Sequence, residues 1–164
     1  MKIAQKFLKI LFVAEALVAT LLYVMIAASL ASDVFMREVA GSSLGGIQRI
    51  CVYAMIQTGF LGLGLAAARG MHLRPRFADN WLPERFRSVV PRIGAFLMAA
   101  IFGFFVYFGI EFVRESIQYA DLARPFKFPI WILQLVVPYA FASTSLRYLV
   151  FGIFPELNPE EKIV

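Results

Sequence analysis

Charge is what this chain has least of. Only 16% of its 164 residues are charged, against about 25% in ordinary soluble domains. A single cysteine, Cys51, excludes an internal disulfide and paired-cysteine redox chemistry. It lies among apolar neighbours, as packing cysteines do. A single histidine, His72, cannot by itself supply the two axial ligands of a haem held inside a membrane span; it reads as a loop residue that orders the turn after Gly70. There is no nucleophile–base pair, metal-ligand cluster, phosphate-cradling loop, internal repeat or low-complexity tract. Neither an enzyme nor a bound cofactor is expected.

What is present is hydrocarbon. The hydrophobic class makes up 60% of the chain, and it comes in long runs. The net charge of +5 does not call for nucleic acid, because the basic residues sit between apolar runs, as orientation in a membrane requires. About 20 apolar residues at 1.5 Å each span a hydrocarbon core about 30 Å thick. Four stretches qualify, near residues 10–31, 50–68, 93–110 and 130–154. They must be helices, since an unpaired backbone group in lipid costs several kcal/mol. The expected fold is an all-α integral membrane protein of one domain, residues 1–164, with four transmembrane helices.

The first run imitates a cleavable signal peptide, with Lys2, Lys6 and Lys9 ahead of it and Ser29-Leu30-Ala31 at its end. It exceeds the usual apolar region of about 7–15 residues and contains Glu15, so it is read as a retained span. Apart from Arg147 inside the fourth span, ten basic residues fall on the side of the N-terminus, the central loop and the tail. Five fall on the other side: Arg37, Arg49, Arg114, Arg124 and Lys127. Basic residues favour the cytoplasmic side, which predicts both termini inside. In the central loop, Leu82, Phe86, Val89 and Val90 follow helical spacing. Asn80 is a candidate cap, Pro83 suits the first turn and Trp81 suits the headgroup level. A short amphipathic helix over 81–90 is expected in the cytoplasmic interface. On the outer side, Phe126, Phe128 and Trp131 make an aromatic belt, and Pro129 is placed to open the fourth helix.

Two charges lie inside spans, where each costs about 2.5–3.5 kcal/mol unless paired or facing protein. Glu15 and Arg147 sit at similar depth and can meet. Alternatively Arg147 snorkels to the headgroups, while Glu15 does the same or pairs with Lys9 or a partner subunit. Small residues recur at every fourth position, Ala54, Thr58, Gly62 and Ala66 in span two and Ala95, Ala99 and Gly103 in span three. Such stripes let helix backbones approach closely in lipid; here they are expected to pack this chain's helices together, with contact to another subunit as the alternative. The mid-depth is otherwise almost wholly apolar, unlike a secondary transporter with broken helices and convergent polar groups. An accessory subunit fits better than a self-contained carrier. A membrane anchor of a respiratory haem or quinone enzyme is the alternative.

Several short patterns fall in order along the chain. Glu15 comes early in span one, and Arg37 follows it in "DVFMREV". Span two ends in "FLGLGLAAARGMHLRPRF", with Leu61-Gly62, Arg69, Gly70 and His72. "LPERFR" comes next, and Pro129, Pro138 and Arg147 mark the last span. In this the chain resembles the small membrane subunit, the DctQ-like or Q subunit, of tripartite ATP-independent periplasmic (TRAP) transporters. One departure is "GGIQRI", where Gln48 and Arg49 stand in place of the family's frequent tryptophan and paired glutamates. The resemblance implies a non-catalytic, multi-pass subunit of a bacterial inner membrane, with lipid around it. Its implied partners are a large M-type membrane subunit and a periplasmic P-type substrate-binding protein, with no nucleic acid. The complex would import an organic anion, such as a dicarboxylate or sialic acid, by sodium symport. Glu15, Arg37, Arg49, Gly62, Arg69, Gly70, His72, Trp81 and Arg147 would be structural or partner-binding positions.

Overall fold

The computed structural model describes residues 2–43, 45–70, 89–123 and 127–159. Among them run helices α1 (Lys2–Ala40), α2 (Ile47–Ala68), α3 (Val90–Gln118), α4 (Trp131–Gln134) and α5 (Val136–Ile153). A short 3₁₀ turn, Pro155–Leu157, follows α5. Counting α4 and α5 as one segment, Trp131–Ile153, four helices are long and apolar enough to cross a membrane. The four-span expectation therefore holds, with longer first and third helices than hydropathy alone outlines.

The ends of these helices follow from local chemistry. α1 stops where Gly41 turns left-handed at φ 65° and donates its N–H to the Arg37 carbonyl at 3.1 Å, a conformation glycine adopts without strain. α2 ends similarly at Gly70, φ 64°, whose N–H reaches the Ala67 carbonyl at 3.2 Å. α3 ends without a glycine. The N–H of Ala120 bonds to the Ile117 carbonyl and that of Asp121 to the Ser116 carbonyl, with Ala120 itself at φ 51°. This is the paired closure of a Schellman turn.

The connection to the last span is a two-residue antiparallel ladder, β1 (Leu122–Ala123) with β2 (Phe128–Pro129), in the register Leu122↔Pro129 and Ala123↔Phe128. Pro129 thus closes the ladder, and the helix opens at Trp131 instead of at the proline. The break between α4 and α5 sits at Leu135. Pro138 has no N–H to give the Gln134 carbonyl four residues back, so one helical bond is missing there.

The α4–α5 segment is the centre of the molecule, with α3 packed along one side and α2 along another; α1 packs mainly on α2. Half of its most apolar stretch is buried, against 17% for α1 and for α3. The outer faces of α1 and α3 are left to lipid or to a partner. On α3, Ala95 and Ala99 join Tyr148 and Phe151 in one core cluster. Gly109 lets the backbone of Pro138 approach, since a Cβ there would sit 3.1 Å from the proline Cα. On the other side, Ile26 of α1 meets Cys51 and Ala54 of α2 in a second cluster.

The small-residue stripe of α2 is corrected. Its buried positions are Cys51, Ala54, Leu61, Gly64 and Ala67. A Cβ on Gly62 would meet nothing within 4 Å, whereas one on Gly64 would collide with the Glu15 carboxylate. Of the expected stripe Ala54 is buried against α1, but the close approach belongs to Gly64, across from the acid.

Candidate functional site

Where α1, α2 and α5 meet, three polar side chains, Glu15, Ser143 and Arg147, are gathered in an apolar interior, with the exposed Tyr139 at its edge. Glu15 is 2% exposed and Arg147 is 1% exposed. Arg147 donates from Nη2 to Glu15 Oε2 at 2.5 Å. The other carboxylate oxygen, Oε1, accepts the Ser143 hydroxyl and, at 3.3 Å, the Tyr139 hydroxyl. Burial on this scale excludes snorkelling for both residues and replaces it with direct pairing.

The helix geometry explains why these residues converge. Tyr139, Ser143 and Arg147 are spaced four apart, which stacks them along one stripe of α5. Gly64 faces them from α2; its missing side chain leaves the space that the Glu15 carboxyl occupies, with Oε2 only 2.7 Å from where a Cβ would stand. Charge-assisted hydrogen bonds are about twice as strong as neutral ones, and a low-dielectric setting strengthens them further. Removing one partner would strand the other charge in that interior. The pair therefore fixes the rotation of α1 and α5 about their axes.

The pair also partitions two cavities. A cavity of about 390 Å³ lies on the Glu15 side, where Gln57, Leu61 and Tyr139 help line it. A second, of about 310 Å³, lies on the Arg147 side beside Lys9, Phe12 and Arg69. Arg147 Nε has no hydrogen-bond partner among the described residues.

The remaining residues singled out from the sequence lie away from this pair. Arg37 donates to Asp33 Oδ2 at 2.6 Å, one turn back on α1, with the aspartate buried and the arginine half-exposed. Arg49 is exposed in the first turn of α2. Arg69 closes α2 and lies over the Phe12 ring, 5.5 Å from its centroid, within cation–π range. Gly70 makes the left-handed turn already described, and Gly62 faces open space. His72, Trp81 and the expected helix over 81–90 fall outside the described residues, as does Arg124. Reading the sequence alone missed Tyr139, Ser143 and Gly64. The four-residue spacing back from Arg147 was the signal that could have found the first two.

A family profile for the DctQ component of tripartite ATP-independent periplasmic transporters matches residues 26–153, a stretch that includes Arg147 but begins after Glu15. The chain is also similar to the ectoine TRAP transporter small permease protein TeaB of Halomonas elongata. The two are 27% identical over 142 residues, covering 85% of this chain and 72% of that protein. No solved structure matches. Four apolar helices, a buried intramembrane ion pair and a family match over most of the length lead to one assignment: the chain belongs to the DctQ family, the small permease component of TRAP transporters.

Proposed function

We propose that this chain is a non-catalytic brace for the large membrane subunit of a TRAP-type importer in a bacterial inner membrane, with both termini cytoplasmic. The observation that carries this reading is the closed state of its buried intramembrane carboxylate, Glu15. Both carboxylate oxygens of Glu15 already accept from Arg147, Ser143 and Tyr139 of the same chain. An ion or solute crossing the bilayer needs coordinating groups that are free to bind and release it; these hold helices in place. The uncovered apolar faces of α1 and α3 suit burial against a larger membrane protein. Packing of this kind is driven by shape and by close approach; Gly62, where an added Cβ would meet nothing within 4 Å, offers such an approach to a partner helix.

On the outer side, Arg37, Arg49 and Arg124 help seat a periplasmic substrate-binding protein, through contacts that weaken as salt rises. The solute is a small organic compound, most simply a carboxylate taken up with sodium. Support for that class comes from the family, whose relative in Halomonas elongata is named for ectoine. Arg69, Gly70, His72 and Trp81 belong on the cytoplasmic side, together with an interfacial helix over 81–90.

Two measurements test this. In proteoliposomes with a sodium gradient, uptake should require the large subunit and the binding protein together with this chain. Saturable, sodium-dependent uptake by this chain alone would sink the brace. For orientation, single cysteines at Ser42 and Asp121, in a variant lacking Cys51, should react with an impermeant thiol reagent from outside, and one at Ser88 should not. The reverse pattern would turn the molecule over.

A further inference from the structure

We propose that the 310 Å³ cavity on the Arg147 side is a binding site for the phosphate of an anionic phospholipid. Its walls come from the first turns of α1 and the ends of α2 and α5. They divide into a basic part, Lys9, Arg69 and Arg147, and an apolar part, Leu8, Phe12 and Phe151.

Three features call for an anion. Glu15 balances the charge of Arg147, which leaves Lys9 and Arg69 without a carboxylate in an ion pair among the described residues. Arg69 is held over Phe12, so its guanidinium is positioned at the cavity wall instead of wandering in solvent. Arg147, buried to 1% exposure, keeps an Nε–H with no acceptor among the described residues while lining this cavity. A phosphate supplies several acceptor oxygens, and guanidinium and ammonium groups together bind it well.

The apolar part selects the source. A free phosphate ion has no use for Leu8, Phe12 and Phe151, whereas a phospholipid places its glycerol and first methylenes there. Basic recesses between helix ends, at the level where lysine and arginine reach the interface, are where lipid headgroups settle. This inference goes beyond the brace and holds whichever side of the membrane the cavity faces.

The test uses the full chain purified in a neutral detergent and titrated, by native mass spectrometry, with phosphatidylglycerol or phosphatidylcholine of identical acyl chains. The parent should bind phosphatidylglycerol at least tenfold more tightly. Lys9→Gln/Arg69→Gln should lose most of that preference, and Lys6→Gln, an exposed α1 lysine that does not line the cavity, should keep it. Neither substitution touches the buried pair; should the double variant fail to fold, each single variant should lose several-fold. Equal binding of the two lipids, or a preference that survives the double substitution, would overturn the site. Thermal protection by inorganic phosphate as large as that by phosphatidylglycerol would assign the cavity to a soluble anion and overturn the lipid.

Discussion

The two sides of α5 are built on opposite principles. Towards α1 and α2 it presents Tyr139, Ser143 and Arg147 to a single buried carboxylate. Towards α3 it meets a seam of alanines and rings, in which Ala95 and Ala99 lie against Tyr148 and Phe151. Phe102 stacks on Tyr148 there with centroids 6.0 Å apart, and Phe105 on Phe141 at 5.3 Å. An interhelical hydrogen bond in this seam runs from the Ser145 hydroxyl to the Ala99 carbonyl, at 2.8 Å. A charge pair accepts one partner in one position, whereas an apolar seam tolerates exchanges of similar volume. The first side therefore sets register, and the second supplies contact area.

Breaking the ion pair should produce the largest effect. Arg147→Leu alone, or Glu15→Leu alone, should destabilise the folded chain by about 3–5 kcal/mol, because each strands a buried charge. Replacing both together should recover most of that loss. Thermal unfolding in detergent, followed by size-exclusion, reads the difference; a double variant as unstable as the worse single one would show that the pair is not an independent unit.

The glycines sharpen the contrast one level down. Gly64→Ala pushes a methyl onto the Glu15 carboxylate and Gly109→Ala pushes one onto the Pro138 backbone. Each should cost about 1–3 kcal/mol, as overpacking does. Gly62→Ala should be near neutral in the isolated chain, since nothing lies within 4 Å of the added carbon. A Gly62→Ala variant that unfolds as early as Gly109→Ala would restore the original stripe.

Smaller effects are expected at the seam's polar contact and at a helix end. Ser145→Ala should lose about 0.6 kcal/mol, the average for interhelical hydrogen bonds in a membrane. Ala120→Gly should gain roughly 1 kcal/mol by relieving a left-handed residue; a loss of stability there would mean that the methyl group contributes packing that outweighs its backbone strain.

How much of this was readable beforehand depends on which variable a sequence encodes. The lengths of apolar runs encode depth, so four spans and the similar depth of Glu15 and Arg147 were legible. Rotation about each helix axis is not encoded by depth, so the pairing itself stayed open among four arrangements until α5 was seen to turn Arg147 inward. The stripe on α2 failed for the same reason. Residues 54, 58, 62 and 66 and the row through Gly64 are both plausible faces of one helix, and the choice between them is made by Glu15 on another. Hydropathy also ended the first span at residue 31, because it registers only what favours lipid. Beyond that point the helix is continued by Asp33 and Arg37, four apart and bonded to each other, a pattern that supports helix in any solvent.

That continuation makes α1 longer than any bilayer needs. At 1.5 Å per residue its 39 residues measure about 58 Å. Even tilted by about 40°, the steep end of the usual range, a helix crosses a 30 Å core in roughly 26 residues. On the order of a dozen residues must therefore stand beyond the hydrocarbon as rigid rod. The ends carry Lys2, Gln5 and Lys6 at one extreme and Arg37 and Glu38 at the other, groups at home in water. An unbroken rod of this kind holds two polar ends at a fixed spacing wider than the hydrocarbon, so one helix presents surfaces to water on both sides of the membrane.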